Sequence, residues 1–103
     1  MENKLKLVIY PAAQEDMEQI FSYISEKLCN PTAAKKQIEV FKKALDNVCL
    51  FPQSCPFTEN EYVKDRTIRK LVVNNYIMFY RVKNEEIQVI RVIYGMRDYA
   101  KIL

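Results

Sequence analysis

The sequence predicts an α+β fold in which an N-terminal strand leads into an antiparallel helical hairpin, and the hairpin packs on a C-terminal antiparallel β-meander. Two apolar stripes at helical spacing, interrupted at Asn30-Pro31, give the hairpin. After Thr67 the period shortens to that of strands, and runs of Val, Ile and Tyr alternate with Asn-rich turns. A single Gly and charge of mixed sign on 28% of the residues describe a chain that packs rather than one that stays open.

Leu5 to Tyr10 reads as the opening strand. Pro11 suits the first turn of a helix, because its missing N–H would have no partner there. Ala13, Met17, Ile20, Ile24 and Leu28 then fall on one helical face, with Glu15, Glu18 and Glu26 on the other. Asn30-Pro31 ends this pattern and starts the next, since Asn caps helices and Pro fits a first turn. A second stripe of Ala34, Ile38, Phe41, Leu45 and Val48 comes next, with Lys35, Lys36, Glu39, Lys42, Lys43 and Asp46 facing away. So tight a junction makes the two helices an antiparallel pair.

Phe51 to Arg66, with Pro52, Ser54, Pro56, Asn60 and Asp65, reads as a long irregular connection with room for one helical turn. Strands are expected over Thr67–Val73, Tyr76–Lys83 and Ile87–Tyr94, with turns at Asn74-Asn75 and Asn84-Glu85-Glu86. The last run is apolar on nearly both faces, which predicts a central strand covered on both sides. The hairpin is one cover. A partner protein, a second copy or the C-terminal tail is the other.

A chain of 103 residues has room for one core, so residues 1–103 form one expected domain. It shows neither a signal-peptide pattern nor an apolar run of membrane-spanning length, which predicts a cytoplasmic protein without a membrane partner. Cys29, Cys49 and Cys55 match no disulfide or metal-ligand spacing, and no His is present, so neither metal nor cofactor is expected and the thiols read as half-buried packing. Charge is unevenly placed. Residues 1–63 carry −2 and residues 64–103 carry +5, and Arg66, Arg69, Arg81, Arg91 and Arg97 all lie in the second part. An anionic partner would meet that part, unless the charges only keep strand edges from aggregating.

Asn30-Pro31-Thr32-Ala33-Ala34, the Leu50-Phe51-Pro52 exit, Arg69-Lys70-Leu71 and Tyr76-Ile77-Met78-Phe79-Tyr80, in this order, resemble the RelE/ParE superfamily of bacterial toxins and its ParE branch in particular. Arg91-Val92-Ile93-Tyr94-Gly95-Met96-Arg97-Asp98-Tyr99 is similar to the superfamily's closing strand and its His-Gly-Arg-Arg-Asp ending. Tyr94 and Met96 replace the His and the first Arg of that ending. The Arg that RelE-type nucleases place after the Tyr opening the second meander strand is Ile77 here.

The resemblance implies a toxin that arrests growth, held by a cognate antitoxin that wraps the hairpin and the sheet edge, as a heterotetramer with it or as a homodimer. It allows two targets. ParE-like toxins bind DNA gyrase and trap its cleaved DNA complex, which would make Arg69, Arg91 and Arg97 recognition charges. RelE-like toxins cut mRNA on the ribosome, which would make Arg97 a phosphate clamp, Tyr99 an acid, base or stacking ring, and Lys70 the basic group. Tyr99 would act as a base only with Arg97 or Arg91 close enough to lower its pKa. Simple ion pairing of Arg69, Arg91 or Arg97 with Asp98 or Glu85 is the plain alternative, as is a core or half-buried place for Tyr76, Tyr80 and Tyr94 with their hydroxyls at the surface. A copy that has lost toxicity and only titrates antitoxin is a third reading.

Overall fold

The computed structural model describes residues 4–58, 64–95 and 103. Strand β1 (Lys6–Ile9) runs into helix α1 (Pro11–Ser22), a π-helical turn over Tyr23–Lys27 and helix α2 (Pro31–Leu50). Strands β2 (Arg69–Val73), β3 (Tyr76–Lys83) and β4 (Glu86–Tyr94) form the meander. The sheet order is β1-β4-β3-β2, with β1 parallel to β4 and the other pairs antiparallel. The sheet is therefore mixed, and β4 is an interior strand as its two-faced apolarity predicts.

Both helix starts are set by the local sequence. Pro11 and Pro31 stand in the first turns, and the Asn30 side chain accepts a hydrogen bond from the Ala33 N–H at 3.1 Å. The end of the first helix departs from its stripe. At Tyr23–Lys27 the ladder widens, the Leu28 N–H reaching the Tyr23 carbonyl at 3.1 Å, and Cys29 turns the chain with a φ of 51°. The wider turn rotates the residues after it, so Leu28, expected on the buried face, is 56% exposed. Ala13 and Met17 are buried as the stripe predicts, and Ile20 and Ile24 are half-buried. The second stripe holds throughout: Ala34, Phe41, Leu45 and Val48 are buried, Ile38 is half-buried, and the charged residues facing away are exposed. Among the described residues of the connection after α2, none is helical.

Two apolar clusters sandwich the sheet. Ala13, Met17, Phe41, Leu45 and Val48 from the helices pack on Met78, Tyr80, Ile87, Val89 and Val92. On the far face Phe79 and Ile93 pack with Ile68, joined by Ile77, Ile90 and Leu103. A β-bulge allows β4 to serve both. Tyr80 opposes Val89 and Phe79 opposes Arg91, leaving Ile90 unopposed. The helix-side residues of β4 thus come at spacings of two and then three, which explains an apolar run that alternates poorly.

Candidate functional site

The bulge in β4 lies where β1 stops and α1 begins, and it sets the place of the first arginine. Beyond Val89, whose carbonyl accepts from the Tyr10 N–H at 2.9 Å, β4 has no strand neighbour on that side among the described residues. Asp16 of α1 takes over the edge. Its carboxylate accepts from the Val92 N–H at 2.9 Å and from Arg91 through Nε at 2.7 Å and Nη2 at 2.9 Å. This two-pronged pair is the strong form of the Arg–carboxylate contact, and it holds the Arg91 guanidinium above its ordinary pKa. Of the alternatives for Arg91, ion pairing is what the fold displays, but with Asp16 rather than Glu85, while Asp98 lies outside the described residues.

A second arginine, Arg81, organises the far side of β3 and β4. Its Nε donates to Gln88 Oε1 at 2.9 Å, Nη1 to Asp65 Oδ2 at 2.8 Å and Nη2 to the Tyr10 hydroxyl at 3.0 Å. Tyr10 in turn donates to Gln88 Oε1 at 3.0 Å, and the Gln88 amide donates to Glu86 at 3.0 Å. Asp65 also accepts from the Thr67 hydroxyl and N–H, and these bonds, with Arg81 beside them, hold its carboxyl below the usual range. Neither Arg81 nor Asp16, Tyr10, Asp65 or Gln88 was a sequence candidate. One signal was present: Arg81 and Gln88 are polar residues inside apolar strand runs, each three residues from the Asn84-Glu85 turn, so a tight hairpin sets them opposite each other.

The predicted site residues divide. Arg69 fastens the connection to the sheet, its Nη1 donating to the Cys55 carbonyl at 2.6 Å and its guanidinium lying 3.9 Å from the centre of the exposed Phe57 ring. Lys70 and Arg91 share a row across the sheet, because both oppose Phe79, so about 10 Å separates their backbones. Arg69, next to Lys70, has Tyr80 opposite instead and belongs to the other face. Arg97 and Tyr99 lie outside the described residues.

Tyr76 and Tyr80 are not prepared as bases. Tyr80 is fully buried, and its hydroxyl, expected at the surface, donates to the Pro52 carbonyl at 3.0 Å. Burial pushes that hydroxyl up, away from neutrality, and pushes Tyr76 up with help from Tyr94 and Tyr23. Tyr94 is half exposed. Cys49 is buried and its thiol raised by burial, Cys55 is half-buried, and Cys29, against expectation, is exposed. Among the described residues no three metal-ligating side chains gather.

Two apolar grooves flank the hairpin. One, of about 530 Å³, runs between β1 and the two helices over Leu7, Ile9, Met17 and Phe41, with Glu18, Lys42 and Asp46 at its rim. The other, of about 760 Å³, lies between the end of the first helix and the sheet, with Tyr23, Leu28 and Tyr94 exposed along it. No described helix is long and apolar enough to cross a membrane.

The family model for the ParE toxin of the type II toxin-antitoxin system parDE matches residues 7–99. Among solved structures, the chain is similar to one from the chromosomal ParDE toxin-antitoxin system of P. aeruginosa, with a TM-score of 0.74 and 19% identity over 90% of this chain and 98% of that one. It is also similar to a chain of the RelB-RelE antitoxin-toxin complex of Methanococcus jannaschii, with a TM-score of 0.54 and 13% identity over 93% and 99% of the two chains. These likenesses are of fold. No curated protein matches the chain in sequence.

Proposed function

The chain belongs to the ParE family, the toxins of type II toxin-antitoxin systems, and we propose that it arrests growth by binding DNA gyrase rather than by cutting RNA. One observation carries this reading. On the far face of the sheet, where a nuclease would gather free cations and proton acceptors around a phosphate, Ile68, Ile77, Phe79, Ile90 and Ile93 form an apolar layer, and the arginines beside it, Arg81 and Arg91, are each paired with a carboxylate. Ile77, at the position of the nuclease arginine, is part of that apolar layer. Arg91 is ion-paired, and the perturbed tyrosine hydroxyls are raised rather than lowered. A surface of this kind suits recognition better than acid–base chemistry.

In this reading Arg69, Arg91 and Arg97 act as recognition charges. The antitoxin is a protein whose apolar segments fill the grooves beside α1, and their exposed Tyr23, Leu28 and Tyr94 support such a partner. The purified chain should inhibit gyrase supercoiling and raise the amount of cleaved DNA, while mRNA on translating ribosomes stays intact. Gyrase indifferent to excess toxin would refute the proposal. Codon-positioned mRNA cuts that vanish in Arg97→Ala would put the RelE-like mechanism in its place.

A further inference from the structure

Beside the Arg81 network lies a cavity of about 320 Å³ whose walls include Tyr10, Asp65, Arg81 and Arg91. Each arginine is already paired with a carboxylate, Arg81 with Asp65 and Arg91 with Asp16, and Ala12, Ile68, Ile90 and Leu103 complete the walls. Arg91 uses Nε and Nη2 on Asp16, and its Nη1 has no hydrogen bond among the described residues. Arg81 gives a single N–H from each of its three nitrogens to Gln88, Asp65 and Tyr10. A guanidinium has five N–H groups, so both side chains keep donors in reserve.

The two acidic partners are unequal. The Asp16 side chain is 12% exposed and locked by the Val92 N–H, so it is a fixed part of the fold. The Asp65 side chain is 35% exposed, and only its Oδ2 reaches Arg81, since Oδ1 is held by Thr67. Asp65 therefore offers one carboxylate oxygen, on a side chain anchored by Thr67, to an arginine able to grip two. We propose that this cavity is a binding site for a phosphate group, and that Asp65 takes the phosphate's place on Arg81 in this structure. A phosphate brings more acceptor oxygens than one carboxylate oxygen and matches the planar fork of Arg81 in two-pronged fashion, with Arg91 lining the same cavity. Such a site stands whether or not gyrase is the target.

Asp65→Asn separates the two roles of that residue, because an amide oxygen still accepts from Thr67 while the competing charge is gone. The experiment titrates inorganic phosphate at constant ionic strength and follows the arginine Nε–H signals by NMR. Asp65→Asn should bind phosphate about tenfold more tightly than the parent chain. Adding Arg81→Gln to Asp65→Asn should abolish that gain, and adding Arg81→Lys should restore little of it, since a lysine lacks the fork. A gain of affinity cannot come from failure to fold. A second titration with a ten-nucleotide oligothymidylate identifies the source of the phosphate. Tighter binding with the same dependence on residues 65 and 81 makes it a nucleic-acid backbone, and dependence seen with inorganic phosphate alone makes it a free phosphate. Equal affinities in the parent and Asp65→Asn, or a gain that survives Arg81→Gln, would overturn the site.

Discussion

Asp16 satisfies three donors at once, two on Arg91 and the Val92 N–H, at a point where the sheet has run out of strands. Asp16→Ala leaves a mostly covered guanidinium and a strand N–H without a partner, and should lower stability by about 2–4 kcal/mol in urea unfolding at neutral pH. A loss within about 0.5 kcal/mol, as for an ordinary surface change, would show the contact to be dispensable. Asp65 contributes through its titration. Thr67 and then Arg81 depress its carboxyl pKa, so its contribution is complete above the unfolded carboxylate value of about 4 and is lost as the pH falls through the folded value. Asp65→Asn should therefore lower stability at pH 7 and converge with the parent chain in strong acid. Urea midpoints that differ by the same amount at every pH would contradict this. Neither carboxylate was legible as a site in the sequence. Asp16 meets an arginine 75 residues away, and Asp65 sits in a stretch that reads as loop. The arginine bias was legible, but the acidic partners that consume much of it were not.

The elements match the sequence pattern closely except where one residue is added. Both helix starts, the second stripe and all three meander strands are found within two residues of their predicted positions. The π-helical turn was hidden because Ile24 and Leu28 also fit ordinary helical spacing. The bulge was hidden because an unbroken apolar run looks the same in either register. The β3–β4 turn was visible, yet not its strain: Asn84 and Glu85 both adopt positive φ, at 56° and 59°. Such a two-residue turn favours Asn-Gly, and a glutamate there carries a steric penalty that glycine lacks. Glu85→Gly should raise stability by about 0.5–1 kcal/mol, since the hydrogen bond from the Lys6 N–H to the residue 85 carbonyl is a backbone one and remains. A lower thermal midpoint in the variant would contradict this account.

Across the whole molecule, the sheet is a partition between two apolar clusters rather than a floor with one side wet. Phe41 and Phe79 lie on opposite sides of it, and both are fully buried. Phe79→Ala should thus be as damaging as Phe41→Ala, each by about 3–5 kcal/mol, enough to leave a domain of this size close to unfolded. A mild effect at Phe79, measured by urea unfolding, would mean that the far face is a surface. The closure of the sheet also has a consequence in time. Among the described residues, Lys6 to Ile9 pair only with Glu86 to Val89, about eighty residues later, and at synthesis rates of ~5–20 residues per second that partner emerges about 4–16 s afterwards. Until then Leu7, Val8 and Ile9 have no strand beside them, and β2 with β3 is only a lone hairpin, too small to hold a shape in water. Translation halted before β4 consequently yields no weakened version of the toxin, because the first strand made waits for the last.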